Sequence, residues 1–197
     1  MGELREGEEG EWLLNTTPDR RQDVAYVNAI IDSLSESHQI DESRIYAVGY
    51  SLGAMYTYEV ACQMSDRFAA IASHAGSMPM NQSSCDPERP VSIMHIHGAQ
   101  DSLIPYNQTW EWKAWDLVGQ MYDIPNLVQH WSEQHGCDRQ AENATASGTH
   151  IVHDACQEGA RVEHHRLSGV DHEWPGEIDG VSTHQAIWSF LSEFSNP

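Results

Sequence analysis

The stretch that most constrains the fold is Arg44–Tyr56, RIYAVGYSLGAMY, because it joins two kinds of backbone through a serine flanked by glycines. The β-branched and aromatic run Arg44–Gly49 predicts a strand, and the run LGAMYTYEVACQM after the serine predicts a helix. The residues between them read G-x-S-x-G. A nucleophile elbow needs this strand–turn–helix context, because side chains at the glycine positions would clash in the tight turn that exposes the serine hydroxyl. The context favours Ser51 as a nucleophile over a glycine-flanked turn without chemistry.

The rest of the chain alternates between predicted strands and helices. Helical spacing of apolar residues predicts a helix around Val24–Leu34 and another over Ser182–Phe194, where Ser182 and Gln185 make a capping box. Further strands are predicted at Phe68–Gly76, Val91–Gly98 and Ala160–Gly169, and Asn107–Tyr122 is predicted to be helical at least in part. Such alternation predicts an α/β fold with a mostly parallel sheet and helices on both faces. The length of 197 residues fits a single domain.

A serine nucleophile needs a base and an acid, which in this fold follow it in the order Ser, Asp or Glu, His, in loops after later strands. Asp101 comes just after the strand VSIMHIHG, and His172 comes just after the strand ARVEHHRLSG. Both positions match the expected acid and base. Asp171 and Glu173 compete with Asp101 for the role of the acid, but immediate neighbours of the histidine point elsewhere and break the expected order.

The remaining histidines have other interpretations. His164 and His165 lie inside a predicted strand, where alternation sends them to opposite faces, so packing or surface roles are favoured. His95 and His97 form an H-x-H pair for which a metal role is conceivable, although the sequence offers no evident further ligands. His74 and His97 stand near strand ends and are expected close to the site.

Charge limits the range of partners. The formal net charge is −20, from 30 acidic and 10 basic residues. A polyanion repels phosphate backbones and anionic lipid surfaces, so neither nucleic acid nor a membrane is predicted as a partner. The chain has no apolar stretch long enough to span a membrane, and its first twelve residues lack the apolar core of a signal peptide.

Four cysteines allow three disulfide pairings or four buried thiols. Pairing of neighbours would close two loops of moderate length, and each disulfide would stabilise the fold by roughly 3 kcal/mol. Disulfides would imply an oxidising compartment.

Together these motifs resemble the polyhydroxybutyrate depolymerase-like and feruloyl esterase group, which belongs to the α/β-hydrolases related to carbohydrate esterase family one. The resemblance rests on IDESRIYAVGYSLGAM, FAAIASHAGSMP, VSIMHIHGAQDSLIPY and GVDHEWPG, and it runs from about Asp23 to Phe194. It implies a secreted serine esterase that cleaves feruloyl or acetyl esters of plant polysaccharides, short-chain hydroxyalkanoate esters or aryl esters, without metal or organic cofactor.

The resemblance also implies roles for individual residues. Ser51 is the expected nucleophile, Asp101 the acid and His172 the base. The Leu52 N–H is expected in the oxyanion hole because the elbow places it at a helix N-terminus, where negative charge is favoured. The implied disulfides are Cys62–Cys85 and Cys137–Cys156. Trp174 and Tyr50 are expected to bind substrate, although plain core packing is an equal alternative for Trp174. Three tryptophans after the Asp101 loop are expected to pack in the core, with an aromatic platform for substrate as the alternative; they are Trp110, Trp112 and Trp115.

One departure from the family concerns the amino-terminal side. Family members carry upstream strands and a His-Gly loop that supplies a second oxyanion N–H, and this chain is expected to begin after them. Residues 1–197 are therefore expected to form the C-terminal part of a full α/β-hydrolase domain, lacking its N-terminal strands. The alternative function is a weakly active or non-catalytic binding remnant of such an esterase.

Overall fold

The structure, a computed structural model, describes residues 12–16, 21–82, 85–112 and 118–197. The α-helices in these ranges are α1 (Gln22–Ser37), α2 (Leu52–Gln63), α3 (Ile124–Gln134) and α4 (Thr183–Leu191). The strands are β1 (Tyr46–Tyr50), β2 (Ala70–His74), β3 (Ser92–Gly98), β4 (Trp110–Trp112), β5 (Gly119–Met121), β6 (Arg139–Ala144), β7 (Gly148–Asp154), β8 (Val162–Leu167), β9 (Glu177–Ile178) and β10 (Val181–Ser182). None of the described helices has the length and apolar character that crossing a membrane requires.

A six-stranded sheet in the order β1-β2-β3-β8-β7-β6 forms the centre of the fold. Strands β1, β2, β3 and β8 are parallel neighbours. Strands β7 and β6 add an antiparallel pair beyond β8. The sheet is therefore mostly parallel, as predicted, and the loops after β1, β3 and β8 leave it at one common edge.

Helices cover both faces of this sheet. Residues of α1, α2 and α3 share one buried cluster with Ile71 of β2. Residues of α4, including Ile187 and Phe190, share a second cluster with Ala72 of the same strand. Because successive side chains of a strand point to opposite faces, Ile71 and Ala72 place the two clusters on opposite sides of the sheet.

The predicted helix over Asn107–Tyr122 is wrong in its described part. Strand β4 pairs antiparallel with β5, while residues 113–117, which include Trp115, lie outside the described residues. Trp110 and Trp112 are partly buried against the core, and Glu111 between them is exposed. This period of two is that of a strand, whose tryptophan side faces the core. Both described tryptophans pack as the default interpretation expects.

The sequence pattern predicts neither α3 nor the β6–β7 hairpin. Helix α3 does carry a start signal, because the Asp123 side chain accepts a hydrogen bond from the Asn126 N–H at 3.0 Å and a proline follows in the first turn. Strand β6 is exposed along its whole length. It therefore lacks the alternation of apolar and polar residues by which a half-buried strand is recognised.

Two disulfides hold loops onto this framework. They join Cys62 to Cys85 and Cys137 to Cys156, the pairs that the resemblance implies. The first connects the end of α2 to the segment before β3, and the second closes the base of the β6–β7 hairpin. The paired cysteines are separated by 23 and 19 positions in the sequence, which corresponds to roughly 3 kcal/mol of stabilisation each in the loop-entropy account.

Candidate active site

Ser51 occupies a strained turn between β1 and α2. Its backbone angles are φ 55° and ψ −121°, a conformation that costs a non-glycine residue about 1–3 kcal/mol. A Cβ on Gly49 would lie 2.1 Å from the Gly53 carbonyl oxygen, whereas a Cβ on Gly53 would meet nothing within 4 Å. The predicted steric need for glycine therefore holds at the first position of the motif and is wrong at the second. The turn presents the serine at the sheet edge, with the first N–H of α2, that of Leu52, beside it.

Three side chains from three separate loops meet at this edge. The Nε2 of His172 lies 2.9 Å from the Oγ of Ser51, and its Nδ1 lies 2.8 Å from the Oδ2 of Asp101. The loops that carry Asp101 and His172 approach closely because Gly98 has no side chain: a Cβ there would lie 2.4 Å from the Val170 carbonyl oxygen. The geometry is that of a nucleophile, a base and an acid in hydrogen-bonded sequence.

The carboxylate of Asp101 accepts four hydrogen bonds. Its Oδ1 accepts from the backbone N–H groups of Leu103 at 2.9 Å and Ile104 at 2.7 Å. Its Oδ2 lies 2.8 Å from His172 Nδ1 and 3.2 Å from His97 Nε2. Burial opposes ionisation, but hydrogen bonds from His97, Ile104 and His172 outweigh it and hold the pKa of Asp101 well below its usual range. The carboxylate is therefore charged at neutral pH.

His97 begins a buried line of hydrogen bonds behind this carboxylate. Its Nδ1 lies 3.1 Å from the Nε2 of His95, whose Nδ1 lies 2.6 Å from the hydroxyl of Tyr58. One assignment of hydrogens fits these contacts: Tyr58 donates to His95, and His95 donates to His97. The Nε2–H of His97 is then shared between the Ile104 carbonyl oxygen at 3.0 Å and Asp101 at 3.2 Å. Burial, followed by the charges of neighbouring histidines, lowers the pKa of His95 well below its ordinary value, in agreement with this assignment.

These buried hydrogen bonds bear on two expectations about the histidines. His97 does lie at the site, but the ring nitrogens of His95 and His97 are used in hydrogen bonds, which disfavours their conceivable role as a metal pair. The sequence carries no signal for Tyr58, which lies on a helix of mostly apolar residues. His164 packs as expected: its Nδ1 lies 3.0 Å from the His95 carbonyl oxygen and its Nε2 lies 2.8 Å from the Tyr106 hydroxyl.

Asp171, the competitor for the role of the acid, makes its hydrogen bonds to the backbone and to Ser102 rather than to the imidazole of His172. Its Oδ1 accepts from the backbone N–H groups of Ser102 and His172, each at 2.7 Å, and its Oδ2 accepts from the Ser102 hydroxyl at 3.2 Å. These bonds, those to the backbone first, lower the pKa of Asp171. Asp171 thus ties the loop after β3 to the loop after β8, while Asp101 contacts the imidazole. Glu173, the other competitor, is exposed.

Aromatic rings surround the base. The ring of Tyr50 lies 5.2 Å from that of His172 and 5.3 Å from that of His74, and its hydroxyl donates to the His172 carbonyl oxygen at 3.0 Å. The ring of Trp174 meets His74 edge-on at 4.9 Å. Trp174 also packs against the core cluster of α4, whereas Tyr50 remains 38% exposed. Both residues that were expected to bind substrate therefore border the site, and Trp174 serves packing as well.

Comparisons with known proteins place the chain among esterases. The sequence profile of the phospholipase/carboxylesterase family matches residues 16–114, which is half of the chain. A bifunctional acetylxylan esterase/xylanase of Neocallimastix patriciarum is 28% identical over 181 residues, covering 88% of this chain and 24% of that protein. Feruloyl esterase B of Piromyces equi is 27% identical over 182 residues, covering 89% of this chain and 32% of that protein. The chain thus spans a third or less of the length of these two relatives.

Solved structures agree on the fold. An acetyl xylan esterase from Aspergillus awamori superposes with a TM-score of 0.56 at 12% identity, covering 85% of this chain and 66% of that structure. A thermostable esterase superposes with a TM-score of 0.54 at 19% identity, covering 89% of this chain and 37% of that structure. At such identities the likeness concerns the fold alone, which is that of the α/β-hydrolases.

Proposed function

Because the chain belongs to the phospholipase/carboxylesterase family of α/β-hydrolases, we propose that it hydrolyses carboxylic esters through an acyl-enzyme on Ser51. The observation that carries the proposal is the unbroken sequence of contacts from Ser51 Oγ to His172 at 2.9 Å and from His172 to Asp101 at 2.8 Å. Such an arrangement in a strained turn activates a hydroxyl that is otherwise a poor nucleophile.

The reaction takes place in two steps. His172 Nε2 accepts the Ser51 proton as the oxygen attacks the ester carbonyl, and then gives that proton to the departing alcohol. In the second step a water molecule, deprotonated by the same imidazole, attacks the acyl carbon; the bond from that carbon to Ser51 Oγ breaks, Oγ takes the proton back from His172, and the acid leaves. Asp101 keeps the Nδ1–H tautomer in place and stabilises the imidazolium that forms in each step. Its low pKa ensures that this charge is present across the neutral range.

Negative charge develops on the carbonyl oxygen in both steps. The Leu52 N–H opens α2 and has no acceptor within the helix, so it is free to donate to this oxygen. The positive end of the α2 dipole lies at the same place and favours the charge further. The removal of one such donor typically costs about 100- to 1000-fold in rate.

For the substrate we propose feruloyl or acetyl esters of plant polysaccharides, or short-chain hydroxyalkanoate esters. The names of the two fungal relatives, an acetylxylan esterase/xylanase and a feruloyl esterase, support the first two classes. Tyr50 and Trp174 offer aromatic surfaces beside the base, against which an aromatic acyl group such as ferulate can stack. The two disulfides support an extracellular location, since such bonds persist in oxidising compartments.

The test compares hydrolysis of p-nitrophenyl acetate by the unmodified chain and by Ser51→Ala. We expect release of p-nitrophenol above background with the unmodified chain and background release with the variant. Methyl ferulate, acetylated xylan and hydroxybutyrate oligomers then rank the substrate classes. Equal rates for the chain and the Ser51→Ala variant would support the alternative, a non-catalytic remnant that binds but does not cleave.

A further inference from the structure

We propose that His150, Glu163 and His165 form a binding site for a divalent first-row transition-metal ion such as Zn²⁺. The three residues lie on β7 and β8, at the antiparallel side of the sheet. His164, between the two β8 members, points towards Tyr106, so Glu163 and His165 point to the opposite face, on which α4 packs. This cluster takes no part in the proposed acyl transfer.

The backbone brings the three side chains together. His150 and His165 are directly opposite each other in the β7–β8 ladder, which places their Cβ atoms about 5 Å apart. Glu163 precedes His165 by two residues and therefore shares its face. Strand β8 is fixed between β3 and β7 on both sides. A site on paired strands is held more firmly than one on a loop, which suits the narrow distance limits of a metal centre.

The donor atoms already lie near coordination distance of a common point. One donor atom from each of the three residues falls within 4.8 Å of the other two, and His150 Nε2 is 2.9 Å from Glu163 Oε2. Ligands at 2.0–2.2 Å from a tetrahedral zinc ion are about 3.4 Å apart. Small side-chain rotations therefore convert the hydrogen bond between His150 and Glu163 into two bonds to a shared ion.

His165 is the member that no other interaction explains. It is only 8% exposed, and within the described ranges its ring stacks on that of His150 at 4.2 Å and lies near the carboxylates of Glu163 and Asp179. No hydrogen bond to the ring is present among the described residues, although a buried polar group is normally hydrogen-bonded. An imidazole nitrogen that is not used in a hydrogen bond is available to bind a metal ion.

Glu163 is held in place by a second group that leaves one oxygen available. Arg161 Nε lies 2.6 Å from Glu163 Oε1, while Oε2 faces His150. The positive charge of Arg161 is itself offset by Glu193, whose Oε2 is 3.0 Å from Arg161 Nη2. Arg161 can thus act as the outer partner that orients a metal-binding carboxylate without occupying the oxygen that faces the ion.

The chemistry of the donors favours a transition-metal ion over Mg²⁺ and Ca²⁺. Two imidazoles and one carboxylate form a typical ligand set for zinc, whereas Mg²⁺ and Ca²⁺ prefer oxygen ligands. Three protein ligands leave a fourth position for water. An ion bound here would cross-link β7 to β8, the strand that leads into the loop of His172, and would stabilise the folded state in proportion to its concentration.

The test is isothermal titration of the full chain, freed of metal with a chelator, with ZnCl₂ at pH 7.5, together with thermal melting with and without zinc. We expect one equivalent of zinc to bind and the melting temperature to rise. His150→Gln and His165→Ala should each raise the Kd for zinc at least about 100-fold. Loss of a residue that only orients a ligand costs up to about that much, and loss of the ligand itself should cost more. Replacement of the buried His165 could disturb folding, whereas His150 is partly exposed. The His150→Gln variant is therefore the main test, and circular dichroism checks that both variants fold.

Two controls separate this site from others. His38→Gln removes an exposed histidine at the end of α1, and His172→Ala removes the imidazole of the candidate active site; neither should change the Kd by more than about twofold. Magnesium should bind far more weakly than zinc. The proposal is overturned if the unmodified chain binds no zinc below 1 mM (on the order of the weakest specific affinities). It is also overturned if His150→Gln binds as well as His38→Gln, or if His172→Ala alone abolishes binding.

Discussion

His97 Nε2 lies 3.2 Å from the Oδ2 of Asp101, the same oxygen that His172 Nδ1 contacts at 2.8 Å. The acid of the proposed triad thus has two imidazoles on one oxygen. His97 is fully buried and donates from behind the carboxylate, while His172 lies between the carboxylate and Ser51. We therefore treat His97 as a positioning residue, which acts on the reaction through Asp101.

Replacement of His97 should change the pH dependence of the reaction. Loss of a hydrogen bond to a charged group is worth about 1.5–3 kcal/mol, so His97→Leu should raise the pKa of Asp101. Protonation of Asp101 then begins at a higher pH than in the unmodified chain. The acid limb of the kcat/KM profile should consequently move to higher pH, by about one unit.

The conservative variant His97→Gln serves as the matched control, because its amide can still donate to Asp101. Its acid limb should stay within about 0.3 pH units of the unmodified chain. If His97 had only a structural role, His97→Leu and His97→Gln would both melt at lower temperatures. The acid limb of the kcat/KM profile, measured on folded protein, would then be the same as in the unmodified chain.

The two glycines of the elbow should respond differently to alanine. Gly49→Ala places a Cβ 2.1 Å from a backbone oxygen and should destabilise the fold by about 3 kcal/mol or more. Gly53→Ala meets nothing within 4 Å and should leave stability unchanged or raise it by up to about 1 kcal/mol, because alanine favours the helix. Urea denaturation of both variants measures the difference. Equal destabilisation would contradict the close approach at Gly49.

The two neighbouring carboxylates offer another matched pair. Asp101→Asn should lower kcat by a factor on the order of 10⁴, because the amide no longer fixes the productive tautomer of His172. Asp171→Asn removes a loop tie and should lower kcat by less than about tenfold. Steady-state kinetics with p-nitrophenyl acetate, on variants of verified fold, tests the assignment. A larger loss from Asp171→Asn would exchange the roles of the two residues.

Much of the framework could be predicted because its signals are local or follow from chain order. The strand before Ser51 and the helix after it are encoded in one short run. Asp101 and His172 could be placed near Ser51 because parallel strands bring their carboxyl ends, and the loops that follow them, to one edge.

Other features depend on contacts between distant residues and leave no local pattern. Tyr58 reaches His95 across the gap between a helix and the sheet, and Asp171 reaches Ser102 across two loops. A motif can also predict too much. Both glycines of G-x-S-x-G were expected to be required sterically, but only Gly49 has a backbone atom close to the position of a Cβ. The tryptophans of β4 were predicted to be helical. Their strand forms by pairing with β5, and the sequence around them carries no local sign of that pairing.

The most direct measurement of the central claim is covalent labelling by phenylmethylsulfonyl fluoride, read by mass spectrometry of the intact chain and of its peptides. The reagent reports an activated serine without knowledge of the natural ester. We predict one adduct per chain on Ser51, absent in Ser51→Ala and formed on the order of 1000-fold more slowly in His172→Ala. A chain that remains unlabelled, or that is labelled at another residue while Ser51 stays free, would contradict the account.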